Sequence, residues 1–230
     1  MTPAPLRPRP NILVWDLPVR VFHWLLVLCF AGARLTAESE RWRLLHVTLG
    51  YTMGGLLVFR VLWGLVGTQH ARFADFVRGP RRVLAYGRAL LRGQPEHHVG
   101  HNPAGALAIV AMLGLGALIV ASGWAVYADW GGGLLEELHE GAASVMLAVV
   151  GLHIIGVVLA SRLHHENLVG AMLNGRKHGA PAEGIRSAWR SVAAVVVVAV
   201  AGFWWLQWQA APSTGTAAQA AAQSHGDDDD

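Results

Sequence analysis

Five long apolar stretches, Val19 to Ala37, Leu44 to Val66, Pro103 to Tyr127, Leu138 to Ala160 and Val192 to Trp208, take up about half of this 230-residue chain. A bilayer crossing needs about 20 mainly apolar residues, and a backbone in hydrocarbon must satisfy its own polar groups. The expected fold class is therefore all-α: an integral membrane four-helix bundle with a fifth transmembrane helix. The composition agrees, since 53% hydrophobic residues, 14% charged residues and a mean hydropathy of +0.38 exclude a soluble globular domain. The N-terminal segment is rich in proline and arginine and lacks a cleavable-signal pattern, so the first apolar helix is expected to remain as a signal anchor.

A sequence pI near 9.6 raises the question of nucleic acid, and the placement of the charges answers it. Arg7, Arg9 and Arg20 precede the first span. Arg72, Arg78, Arg81, Arg82, Arg88 and Arg92 lie between the second and third, and Arg162, Arg176, Lys177, Arg186 and Arg190 between the fourth and fifth. These segments alternate with connections carrying Glu38, Glu40, Arg41 and Arg43, then Asp129, Glu136 and Glu137. The positive-inside rule then puts the N-terminus in the cytoplasm and the C-terminus outside, in a bacterial inner membrane. The basicity encodes topology, and no nucleic-acid partner is expected; the partner implied throughout is membrane lipid.

The chain divides into a cytoplasmic N-terminal segment (1–18), a four-helix core (19–178) with an amphipathic cytoplasmic loop (67–102), a linker and fifth span (179–209), and an acidic, low-complexity tail (210–230) expected to be disordered and outside. Pro3, Pro5, Pro8 and Pro10 predict an extended, mobile leader. Cys29, the single cysteine, lies inside the first span and reads as a small core residue. It leaves no Cys-x-x-Cys-His for covalent haem attachment.

Histidines give the chain its chemistry. His139 and His153 sit fourteen residues apart in the fourth span, which on a helix places them about 40° apart around the axis and roughly 21 Å apart along it. One helix thus offers an imidazole near each face of the bilayer, where ionisable groups usually mark function. His23 opens the first span on the cytoplasmic side and His46 the second on the external side. Depth pairs His46 with His139 and His23 with His153, giving two bis-imidazole sites for two non-covalent b-type haem irons, stacked through the membrane. Gly50 and Gly54 follow His46 on its own face and would leave flat space for a porphyrin, against a competing reading of close helix packing. Arg34 and Arg60, at the far ends of the first and second spans, are candidate propionate partners, against a competing reading of snorkelling to headgroups.

Phe22-His23-Trp24, Leu45-His46, Leu138-His139-Glu140 and Gly151-Leu152-His153 resemble the bacterial cytochrome b561 family, which groups with the cytochrome b subunits of nickel-iron hydrogenases and formate dehydrogenases. The resemblance covers roughly residues 11 to 178. It implies two haem b groups ligated by His23, His46, His139 and His153, and electron exchange with ubiquinone or menaquinone. Members resembling superoxide oxidase carry a histidine seven residues after the last ligand, where this chain has Ala160.

Three further histidines are candidates for the quinone: His164 and His165 just past the fourth span, and His101 before the third. His97, His98 and His101 cluster without the carboxylates or cysteines that would complete a metal site, while His70, His178 and His225 read as solvated. Asp227 to Asp230 form an external acidic tail that would steer a basic partner. The expected function is electron transfer between a periplasmic partner, such as a c-type cytochrome, and the quinone pool. Three alternatives stand beside it: a superoxide:quinone oxidoreductase, the haem anchor of a hydrogenase or dehydrogenase complex, and a haem-free metal transporter. No catalytic residue is assigned.

Overall fold

The computed structural model describes residues 10–77, 79–92 and 98–210. The expectations for the proline leader up to Arg9, and for Arg78, His97, His225 and the aspartate tail, fall outside those residues.

A short strand, β1 (Asn11–Leu13), leads into α1 (Leu17–Thr36); a 3-10 turn (Glu40–Trp42) runs straight into α2 (Arg43–Val66). Two short helices follow, α3 (Phe73–Phe76) and α4 (Pro80–Leu91), then α5 (Pro103–Tyr127), α6 (Gly132–Leu163), α7 (Leu168–Asn174), β2 (Arg176–His178) and α8 (Arg190–Ala210). Helices α1, α2, α5, α6 and α8 are long and apolar enough to cross a membrane, as the hydropathy predicts. The chain is a multi-pass membrane protein.

Local signals set the helix starts. The Asp16 side chain accepts the Val19 N–H at 2.8 Å to cap α1, whose first turn holds Pro18. Asn102 caps α5 through the Gly105 N–H at 2.7 Å, with Pro103 in the first turn. Gly131, at φ +73°, turns the chain from α5 into α6, a conformation that glycine alone adopts freely. Helix α6 begins six residues before the apolar stretch that announced it. At 32 residues it is about 48 Å long, well beyond a hydrocarbon core of about 30 Å, so its exposed first turns, with Glu136 and Glu137, stand clear of the apolar layer.

Packing runs in sequence: α1 along α2, α2 against α5, α5 along α6. Phe22, Cys29, Leu49, Met53 and Leu56 form the core between α1 and α2, and Val196 of α8 completes it. Ile119, Ala142 and Met146 join α5 to α6. Helix α8 packs on the outside of α1, and its Trp204 indole N–H donates to Thr52 Oγ1 at 2.9 Å. Large side chains such as Leu28, Leu62, Leu152 and Val198 face outward, where the solvent is lipid.

The mobile leader is corrected from Pro10 onward. Strand β1 pairs antiparallel with β2, Ile12 opposite Lys177, and Val14, Trp15 and Asp16 are buried. Isolated three-residue strands are weak, so other contacts hold this clasp. Lys177, itself buried, pairs with Glu166 at 3.0 Å and donates to the Val99 carbonyl at 3.0 Å. His70 is corrected likewise: its Nε2 bonds the Glu183 carbonyl at 2.8 Å and its ring meets the edge of Trp15.

Candidate functional site

At the end of the bundle opposite the arginine-rich connections, His46 from the start of α2 faces His139 from α6. Their ring centroids lie 6.2 Å apart with planes at 73°. His46 Nδ1 sits 2.9 Å from the Ala33 carbonyl of α1, and His139 Nδ1 sits 2.9 Å from the Ile119 carbonyl of α5. A carbonyl only accepts, so each Nδ1 carries the proton and each Nε2 keeps a free lone pair. This is the arrangement by which outer partners orient metal-ligating imidazoles. One metal ion held by both Nε2 atoms at about 2 Å would set the centroids about 6 Å apart, a separation that this pair matches.

A cavity of about 280 Å³ opens at the pair, lined by Arg34, Gly50, Tyr51, Trp124, Tyr127 and Glu140 among others. A Cβ at Gly50 would meet nothing within 4 Å, so space for a flat ring exists there. Gly54 is different: a Cβ would meet Val120 at 3.1 Å, so its face is taken by close packing of α2 on α5. Arg34 stands exposed on the cavity rim, 3.7 Å from Glu38. Ser122 and Gly123 also border His139, the serine Oγ 3.3 Å from Nδ1. Neither is visible in sequence, because α5 is apolar on every side and no periodicity shows which face meets α6.

The arginine-rich end has another character. His23 of α1 and His153 of α6 lie within electrostatic reach of each other. The His23 ring meets Trp24 edge-on at 5.0 Å, and its Nδ1 is buried without a partner. Gly151 and Gly156, beside His153, have open space where a Cβ would stand. Arg60, only 3% exposed, lies over the rings of Phe73 at 4.8 Å and Phe76 at 5.9 Å, and its Nη1 has no partner. His101 is wedged between Trp15 and Phe76, each at 4.5 Å, its Nδ1 unpartnered. Burial, with the Arg60 charge second, pushes the His101 imidazole down to about 3, so it is neutral at physiological pH. Arg20 Nε is likewise buried and unpartnered, while its Nη2 donates to the Leu173 carbonyl.

Orphaned donors of this kind cost about 1–3 kcal/mol each, and more when charged. Arg20 Nε and Arg60 Nη1 can only donate, so this end suits an acceptor-rich group such as the carboxylates of a porphyrin. Asp16 ties this end together, taking the Trp63 indole N–H at 3.0 Å and the Thr68 hydroxyl at 2.6 Å as well as capping α1. Of the quinone candidates, His101 lies in this cluster. His164 ends α6, and His165 is exposed in the following turn at φ +51°.

Comparison with known proteins agrees with this geometry. The family model described as prokaryotic cytochrome b561 matches residues 14–175. The chain is similar to the probable Ni/Fe-hydrogenase 1 B-type cytochrome subunit of Escherichia coli (strain K12), 25% identical over 213 residues covering 72% of this chain and 90% of the relative. It is similar to the probable Ni/Fe-hydrogenase B-type cytochrome subunits of Azotobacter chroococcum mcd 1, 26% identical over 217 residues (74% and 90% covered), and of Azotobacter vinelandii, 29% identical over 152 residues (54% and 62% covered). No solved structure matches the chain. A haem-free transporter is set aside accordingly, for this chain belongs to the prokaryotic cytochrome b561 family and is a membrane haem b electron-transfer protein.

Proposed function

We propose that the chain carries electrons across the bacterial inner membrane through two b haems, the outer held by His46 and His139 and the inner by His23 and His153. The observation that carries this reading is the 6.2 Å separation of His46 and His139, with each Nδ1 committed to a backbone carbonyl. The arginine-rich end is assigned to the cytoplasm by the positive-inside rule.

The bound haems supply one-electron redox chemistry. The chain's own residues do the rest. Two carbonyls fix the tautomer and rotation of the outer imidazoles; Arg20 and Arg60 stand ready for the inner haem's carboxylates, and Arg34 for those of the outer haem. Gly50, with the rim of the cavity, leaves room for the outer ring, while Gly54 lets α2 and α5 approach. At the inner end the neutral His101 imidazole, beside the Arg60 guanidinium, suits a quinone ring that needs a hydrogen-bond partner. His164 and His165 are the proton carriers proposed there.

The partner favoured on the outside is a hydrogenase. The relatives bearing that name are matched over most of their length, and the tall α6 raises a rigid post beside His139 on that side. A c-type cytochrome is the competing partner. A pyridine haemochrome assay with reduced-minus-oxidised spectra tests the core of the reading: two haem b per chain are expected, and a reproducible single haem in every preparation would refute the paired-ladder arrangement. Co-purification with a hydrogenase in native detergent extracts tests the partner, and reduction by a c-type cytochrome without any hydrogenase would replace it.

A further inference from the structure

The ring of His139 lies directly against α5 at a glycine. A Cβ built on Gly123 would stand 2.7 Å from His139 Cε1 and 2.9 Å from Nδ1, closer than real Cβ contacts come. The same ring is tethered from that helix, its Nδ1–H given to the Ile119 carbonyl at 2.9 Å with the Ser122 hydroxyl at 3.3 Å. The ring therefore cannot slide away from an added methyl group without giving up its hydrogen bond. His46 is tethered independently to α1 through Ala33, so the 73° between the two ring planes is set by two separate helix backbones.

We infer that Gly123 is a positioning residue for the outer haem: it admits the His139 ring into a seat on α5 that holds the two axial imidazoles nearly perpendicular. The inference rests on the reading of His139 as an outer ligand. Near-perpendicular imidazole planes leave the two π-bonding iron d orbitals almost equal in energy, so the oxidised low-spin centre gives a strongly anisotropic electron paramagnetic resonance signal with one dominant low-field feature. Parallel planes split those orbitals and give a rhombic, three-feature signal. The bond from Nδ1–H to a carbonyl also increases the basicity of the ligand and favours the oxidised metal. Loss of the seat therefore raises the midpoint potential.

The test uses the purified full-length holoprotein and records low-temperature electron paramagnetic resonance and a potentiometric titration of each haem. His139→Ala identifies the outer signal as the one it abolishes. In the unaltered protein that signal is expected to be of the strongly anisotropic kind. Gly123→Ala should turn it rhombic or remove it and should raise the outer potential, leaving the inner haem unchanged. Gly114→Ala, the same change on the same helix where a Cβ meets nothing within 4 Å, should alter neither haem. A Gly123→Ala protein with the original outer signal and potential overturns the inference. So does a rhombic outer signal in the unaltered protein, which decides the matter even if the variant fails to assemble. If His139→Ala keeps both haem signals, the ligand assignment itself is wrong, an outcome distinct from the failure of Gly123 alone.

Discussion

On the proposed two-haem reading, the two ends of the bundle meet the same ligation problem in opposite ways. At the outer end the imidazoles of His46 and His139 are already facing each other, each aligned by a carbonyl from a neighbouring helix. At the inner end His23, Arg20, Arg60 and His101 hold buried nitrogens with nothing to bond. The outer pair is aligned by backbone, whereas the inner cluster leaves nitrogens that the proposed haem would have to satisfy. The difference teaches that a ligand pair alone does not define a site, since the groups around it decide whether the pair stands ready beforehand or gains its order from the guest.

The largest expected effect is the loss of one haem at a time. His153→Ala should abolish the inner haem spectrum and spare the outer, and His46→Ala should do the reverse; loss of both signals in either variant would break the separation of the two ends. Arg60→Gln comes next. Removing a buried guanidinium whose Nη1 has no hydrogen-bond partner should weaken inner haem retention about tenfold, the equivalent of about 1.4 kcal/mol, in a haem-transfer assay to apomyoglobin. Arg34→Gln, on an exposed side chain beside Glu38, should change outer retention far less. Equal effects would show that both arginines serve their haems alike.

The pH response should also separate the ends. His101 is held down to about 3 in the folded chain, against about 6.5 when unfolded. Between those values the unfolded chain binds a proton that the folded chain refuses, so this group costs nothing above pH 6.5 and exacts a growing penalty as the pH drops toward 3. Thermal unfolding of the His101→Leu protein should accordingly show a shallower loss of stability from pH 7 to pH 5 than the parent; parallel curves would contradict the burial of a neutral imidazole. The smallest effect is expected from Thr52→Val, which removes the acceptor for Trp204 and should loosen α8 by about 0.6 kcal/mol, read as a modest fall in the unfolding midpoint in mixed micelles.

The spans and the four histidines were legible in sequence because hydropathy and helical spacing are local properties. What surrounds them was not. Gly50 and Gly54 share a face and look equivalent as sequence, yet Val120 of another helix fills the space beside one and a cavity opens beside the other. Arg60 and His101 meet only because α3 and the turn before α5 fold over the end of α2, and no periodicity announces that convergence. The pairing of Asn11–Leu13 with Arg176–His178 joins segments some 165 residues apart through strands too short to leave a pattern.

That clasp pins the start of α1 at the inner end. Helix α1 leaves it at Leu17, and His23 follows only six residues on, about 9 Å along the axis, whereas Thr36 lies about 29 Å away. If α1 tilts against α6 as bilayer thickness changes, His23 rides on a short lever arm and the far end of the helix on one roughly three times longer. A pair near the pivot can be left without fastenings of its own. At the far end, where α1 would move most, the His46 ring is fastened to α1 itself through Ala33, and His139 to α5 through Ile119.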